Sequence, residues 1–181
     1  MAKLDDTSIE TLFGDADKTA EETKGGGGNF VKLADGESAV LVFEKRKPVD
    51  YKEVWNPASN RSEFYDAEAH DGMRPRGKFM FSVAVVTPEG LTPALLDVGS
   101  DVYHDIKAEL IKRGFESAFE LLRKGEGKET KYRFSFEDKL TDEQLEAVAA
   151  VEFLSPEEAL AAKSGEGTQA PAEKKKNPWG K

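Results

Sequence analysis

Cysteine is absent from this chain of 181 residues, and histidine occurs only twice, at His70 and His104. The first absence excludes disulfides, thiolate metal sites and cysteine nucleophiles, and it fits a reducing compartment. No apolar run approaches the ~18 consecutive residues of a membrane span. The opening Met1-Ala-Lys-Leu-Asp-Asp6 lacks the apolar stretch of a secretory signal. The expectation is a soluble cytoplasmic protein. Catalytic patterns are missing as well. Gly125-Glu-Gly127-Lys128 lacks the Gly-x-x-x-x-Gly-Lys-[Ser/Thr] spacing of a phosphate loop. No nucleophile stands beside a base. His70 lies among Asp66, Glu68 and Asp71, which reads as a solvated acidic surface rather than a metal site. His104 follows Tyr103 in an expected helix and reads as a surface residue. The reading is a protein without catalysis, metal or cofactor.

What the chain has is charge, unevenly spread. The net charge is −9. Residues 1–28 hold 3 basic and 7 acidic side chains, and residues 137–181 hold 6 and 10. The centre, 29–136, holds 17 and 18 and is close to neutral. Local clusters rather than net charge set the field a ligand meets. The central cations gather at Lys45-Arg46-Lys47, at Arg74-Pro-Arg76-Gly-Lys78 and between Arg123 and Arg133.

The pattern divides the chain into a flexible acidic arm (1–28), a core (29–136), an acidic helical extension (137–163) and a disordered tail (164–181). Within the arm, Thr7 and Glu10 suit the start of a short helix reaching Phe13. Gly25 to Gly28 form a hinge, because glycine has the most backbone freedom. In the core, Ser38–Glu44 reads as a buried strand. Tyr51–Trp55 and Arg61–Asp66 form a long-looped hairpin, and Lys78–Val86 is the clearest strand. Leu91–Val98 is another, with Pro93 placing it at an edge or bulge. Ser100 reads as the N-cap of a helix with the apolar stripe Val102, Ile106 and Leu110, ended by Gly114. Phe115, Ala118, Phe119 and Leu122 suggest a second helical stripe. A strand from Lys131 to Phe136 closes the core. Thr141 with Gln144, and Ser155 with Glu158, are capping patterns for two more helices. Strands joined by tight turns, with a helix before the last, predict a mainly β fold with helical insertions: a five-stranded OB-fold-like antiparallel barrel, flanked by helices.

Three segments mix aromatic rings with cations. One is the expected hairpin with Trp55, Arg61, Phe64 and Tyr65. The second runs from Arg74 and Arg76 into Lys78, Phe79 and Phe81. The third holds Arg123, Lys124, Lys128, Lys131, Tyr132 and Arg133. Rings stack on unpaired bases while cations follow phosphates, the combination that single-stranded nucleic acid requires. The simpler reading of Phe79, Phe81, Phe134 and Phe136 is barrel core. Tyr132 alternates with Lys131 and Arg133, so the ring and the cations belong on opposite faces of one strand.

From Phe30 to Phe136 the chain resembles the single-stranded DNA-binding proteins of tailed bacteriophages. The likeness is carried by Phe30-Val-Lys32-Leu-Ala-Asp35-Gly36-Glu37-Ser and by the aromatic segment around Trp55. The phenylalanine-rich strand Lys78–Val86 adds to it. Most specific is Arg123-Lys124-Gly125-Glu-Gly127-Lys128-Glu-Thr130-Lys-Tyr132. The resemblance implies an OB-fold that coats single-stranded DNA during phage replication, recombination and repair, in the host cytoplasm. Zinc is not implied, because the cysteines of some relatives are missing from Asp66–Gly77. The contacts expected with DNA are Lys32, Trp55, Arg61, Phe64, Tyr65, Arg74, Arg76, Lys78, Lys128, Lys131, Tyr132 and Arg133. Trp179, in the basic tail, is the candidate for docking replication or recombination proteins. Two other readings stay open on composition alone: an acidic interaction protein or nucleic-acid mimic that inhibits a host enzyme, and a binder of single-stranded RNA.

Overall fold

A computed structural model describes residues 29–164 of the chain. The N-terminal arm with its expected helix and glycine hinge, and the tail with Trp179, lie outside the described residues. Seven strands form a single antiparallel sheet: β1 (Ser38–Phe43), β2 (Val49–Asn56), β3 (Arg61–Phe64), β4 (Arg76–Thr87), β5 (Gly90–Gly99), β6 (Ser117–Lys124) and β7 (Lys131–Lys139). Three helices accompany them: α1 (Ser100–Arg113), α2 (Asp142–Ala149) and α3 (Pro156–Ser164). The order across the sheet is β3-β2-β4-β1-β6-β7, with β5 on the other edge of β4.

β4 organises the whole. Its first half, Arg76–Met80, pairs with β2, and Val83–Val85 pairs with β1 along the same edge. Its opposite edge pairs with β5 from Lys78 to Thr87. One face carries Phe81 and Val83 into a core with Leu41, Phe43, Phe119 and Leu121. Phe43 meets the rings of Phe81, Phe119 and Phe134 edge-on at 5.4–5.9 Å. Such pairs contribute ~0.5–1.5 kcal/mol each beyond the burial of their area. Phe79, Phe81, Phe134 and Phe136 all join or flank this core, as their spacing predicts.

Helix α1 lies across the core with Ile106 fully buried, and Arg113 stacks on Phe136 at 4.5 Å. It ends at Gly114, whose φ of +82° suits glycine. The other face of the sheet is covered by the C-terminal segment. Ser82 Oγ donates to the Leu154 carbonyl at 2.8 Å, and Val42 and Leu91 face Ala147 and Val148 of α2. Thr141 and Gln144 form the expected capping box, and Ser155 Oγ accepts from Glu158 N at 3.3 Å.

Four expectations are corrected. The sheet has seven strands and is open, where a closed five-stranded barrel was expected. Closure needs a ladder between β5 and β7. The entering chain occupies the edge of β5 instead: Leu95 N donates to Asn29 O at 2.7 Å, and Val31 N donates to Leu95 O at 2.8 Å. The second expected helix is strand β6. Ser117, Ala118, Phe119 and Leu121 are all buried, so both faces of the strand are covered and its alternation is hidden. Ser100 is the first helical residue rather than the cap. Gly99 takes the cap position, without a side-chain bond. β7 also runs on to Lys139, past the Phe136 boundary read from the sequence.

Candidate nucleic-acid interface

Residues opposite one another in an antiparallel ladder share a face. The pairs Glu53↔Phe64 and Trp55↔Ser62 join β2 to β3, and Tyr51↔Lys78 and Glu53↔Arg76 join β2 to β4. Trp55, Phe64, Tyr51, Arg76 and Lys78 therefore lie on one face of the β3-β2-β4 sheet. Trp55 is 46% exposed, the largest aromatic exposure among the described residues. The Phe64 ring tilts against Tyr51 at 5.4 Å.

This face has a fixed polar centre. Tyr51 Oη donates to Asp97 Oδ2 at 2.6 Å, and Lys78 Nζ stands 3.5 Å from Asp97 Oδ1. Burial, and then the bond to Asp97, hold the Tyr51 phenol far above its ordinary range, so it stays a donor. Lys78 is partly neutralised by Asp97. Arg74 and Arg76 have no salt bridge among the described residues, and they line a polar cleft of about 680 Å³ with Lys78 and the first turn of α1. The backbone N–H groups of that turn add partial positive charge to the cleft.

Asp97 also borders a second cleft, of about 260 Å³, which contains Lys32 and Tyr132. It lies at the open seam between β5 and the β6–β7 pair. Tyr132 is 41% exposed at its mouth and shares the inward face of β7 with Phe134 and Phe136. Lys131 and Arg133 project from the opposite face, in register with Lys124 and Leu122. Lys128 is exposed in a short 3-10 turn, Gly127–Glu129.

The structure thus gathers Trp55, Phe64, Arg76 and Lys78, sets Arg74 in the adjoining cleft, and brings Lys32 and Tyr132 beside Asp97. It does not gather Arg61 or Tyr65 with them. Arg61 lies opposite Asn56 on the other face of the hairpin, where its Nε is 3.2 Å from Glu63 Oε1. Tyr65 stacks on His70 at 6.2 Å. Tyr51 and Asp97 were not anticipated, because only the pairing register connects them to Trp55.

The reverse face of the hairpin is locked by side-chain bonds. Ser59 Oγ donates to Glu63 Oε1 at 2.5 Å, and Asn56 Nδ2 donates to Oε2 at 3.1 Å. His70 Nε2 stands 3.3 Å from Oε2. Asp66 N donates to His70 Nδ1 at 3.0 Å, and the same nitrogen lies 3.2 Å from the Asp66 carbonyl oxygen. The bonds from Ser59, Asn56, His70 and Arg61 lower the Glu63 carboxyl from an ordinary value near 4.5 to about 2. Backbone bonds from Glu68 and Ala69 lower Asp66 as well. His70 is therefore a buried tether of the 66–75 loop, 6% exposed, and not the solvated residue the sequence implied. No group of three or more metal-binding side chains occurs among the described residues. None of the described helices is long and apolar enough to cross a membrane.

The segments 30–38 and 123–132 meet in space. Gly125 N donates to Asp35 Oδ1 at 2.6 Å, and Arg123 NH1 donates to the Leu33 carbonyl at 2.6 Å. Gly125 has φ of +85°, and a Cβ there would lie 2.4 Å from the Glu129 carbonyl oxygen. That position accepts only glycine, for a structural reason. No protein-family model matches the chain, and neither does any curated protein or solved structure.

Proposed function

We propose that this chain binds single-stranded DNA with little regard to sequence, as a non-catalytic protein of phage DNA replication, recombination or repair. The observation that carries the proposal is the shared face of Trp55, Phe64, Arg76 and Lys78, from three paired strands. Trp55 and Phe64 offer stacking surfaces, each worth ~1–3 kcal/mol per base. Arg74 and Arg76 attract the phosphates beside them. Lys32 and Tyr132 extend the path past Asp97 to the seam.

An OB-fold reading of the core supports the same function. The path β5-β4-β1-β6-β7, with α1 between β5 and β6, gives five strands with a helix before the last two. This suits a partly open barrel with the β2–β3 hairpin inserted. The test is titration of the full chain with labelled poly-dT across a salt series, beside duplex DNA and RNA. Micromolar or tighter binding that weakens steeply with salt, and weakens again in Trp55→Ala, supports the proposal. Absence of binding at low salt overturns it. Equal or tighter binding to RNA moves the assignment to RNA, which the same face would serve.

A further inference from the structure

A third cleft, of about 470 Å³, lies between the β1–β2 loop and helix α1. Its walls are Tyr103, Leu110, Ile111 and Phe115, and Ile111 is 77% exposed. Its rim carries Lys45, Arg46, Lys47 and Lys107, and no carboxylate lines it. In a chain with 35 acidic and 26 basic residues this is an unusual local balance. Arg46 is engaged with Glu44 and Glu157 at 3.7 and 3.6 Å. Lys45, Lys47 and Lys107 have no salt bridge among the described residues. We infer that this cleft docks an acidic peptide of a partner protein through an aliphatic or aromatic anchor seated against Ile111 and Leu110.

Charge complementarity selects that occupant. Three unpaired ammonium groups around an apolar floor attract carboxylates while the floor removes an apolar side chain from water. A second copy docked face to face would set the same lysines against each other, a repulsive arrangement for a two-fold contact. Nucleic acid suits the site less well. Leu110 and Ile111 offer no π-face, and one face of Tyr103 is already covered by Phe79, with centroids 3.8 Å apart and planes 10° apart. The volume falls within the ~300–1,000 Å³ range of small binding pockets, enough for an anchor side chain and its neighbours.

The experiment uses the full chain and a fluorescein-labelled helical peptide of glutamate and alanine carrying leucine and phenylalanine one turn apart. The same peptide with both anchors changed to alanine is the control. Anisotropy is expected to report saturable binding of the anchored peptide that weakens as salt rises. Ile111→Glu and Lys107→Glu should each weaken it about tenfold or more, equivalent to ~1.4 kcal/mol. Both positions are exposed, and circular dichroism checks that the fold is intact. Absence of binding, equal binding of the control peptide, or no effect of either variant overturns the inference. Displacement of the peptide by poly-dT with loss of DNA binding in Ile111→Glu overturns it in favour of a nucleic-acid path. Concentration-dependent dimerisation abolished by Ile111→Glu overturns it in favour of a second copy. Tighter peptide binding after Ile9→Ser, Leu12→Ser and Phe13→Ser in the acidic arm overturns it in favour of the chain's own arm.

Discussion

Two hairpins of this protein share a composition and differ in what they can do with it. In β6–β7, Tyr132 alternates with Lys131 and Arg133 along one strand, so the pleat sends the ring inward and the cations outward. In β2–β3 with β4, the rings and the cations sit on different strands, and register brings them to one face. Alternation within a strand separates unlike side chains, while pairing between strands unites them. Phe119, Phe134 and Phe136 thus serve the core, Tyr132 stands at the mouth of the seam, and the hairpin aromatics are left for a ligand.

The strongest challenge to this contrast is Phe119→Ala. Phe119 is fully buried and stacks on Phe134 at 5.1 Å. Its loss should cost ~3–5 kcal/mol of stability, measured by urea unfolding, with DNA affinity unchanged for the molecules that remain folded. Loss of less than about 1 kcal/mol would remove the β6–β7 aromatics from the core class.

Trp55→Ala should show the opposite pattern. Affinity for poly-dT falls by ~1–3 kcal/mol, while the unfolding midpoint stays within the small range of surface substitutions. A lower midpoint with unchanged affinity would return Trp55 to a structural role.

Arg76→Gln and Arg133→Gln sharpen the comparison among the cations. Removing one phosphate contact lowers the slope of log affinity against log salt by about 1. Arg76→Gln is expected to do so and Arg133→Gln is not. Equal effects would mean that the DNA wraps onto the outer face of β7.

The smallest effect concerns the locked side of the hairpin. The folded Glu63 carboxyl titrates near 2, against about 4.5 ordinarily. Its stabilising contribution is therefore complete above about pH 4.5 and is lost as the pH falls toward 2. Trp55 fluorescence in the native baseline should report loosening of the hairpin across that window. Glu63→Gln should flatten the response, and an unchanged response in the variant would separate Glu63 from hairpin order.

Local signals were readable in the sequence. The alternation in β4, the Thr141 cap, the end of α1 at Gly114 and the hairpin turn at 56–60 each depend on neighbours along the chain. β6 was hidden because burial on both sides removes the alternation that marks a strand, and its Leu, Glu and Ala suit a helix equally well. The open sheet was not readable, since it depends on which segment reaches the edge of β5 first. At the candidate interface, residue types were legible and faces were not. Trp55 and Phe64 could be named from composition, but the company of Tyr51, Asp97 and Lys78 follows from register alone. The buried place of His70 depends on Glu63, a contact that exists only once the 66–75 loop has folded over the hairpin.

The route from β1 to β4 has a further meaning. Phe43 and Val83 are direct ladder partners, yet the chain makes the whole excursion 44–75 between their strands. Every registered pair along β5-β4-β1-β6-β7 lies outside that excursion. The part of the molecule that carries Trp55 and Phe64 is thus an insertion with its own sheet edge and its own internal tether at Glu63. Over evolutionary time such an appendage can be lengthened, rewritten or exchanged while the supporting scaffold keeps its pairing.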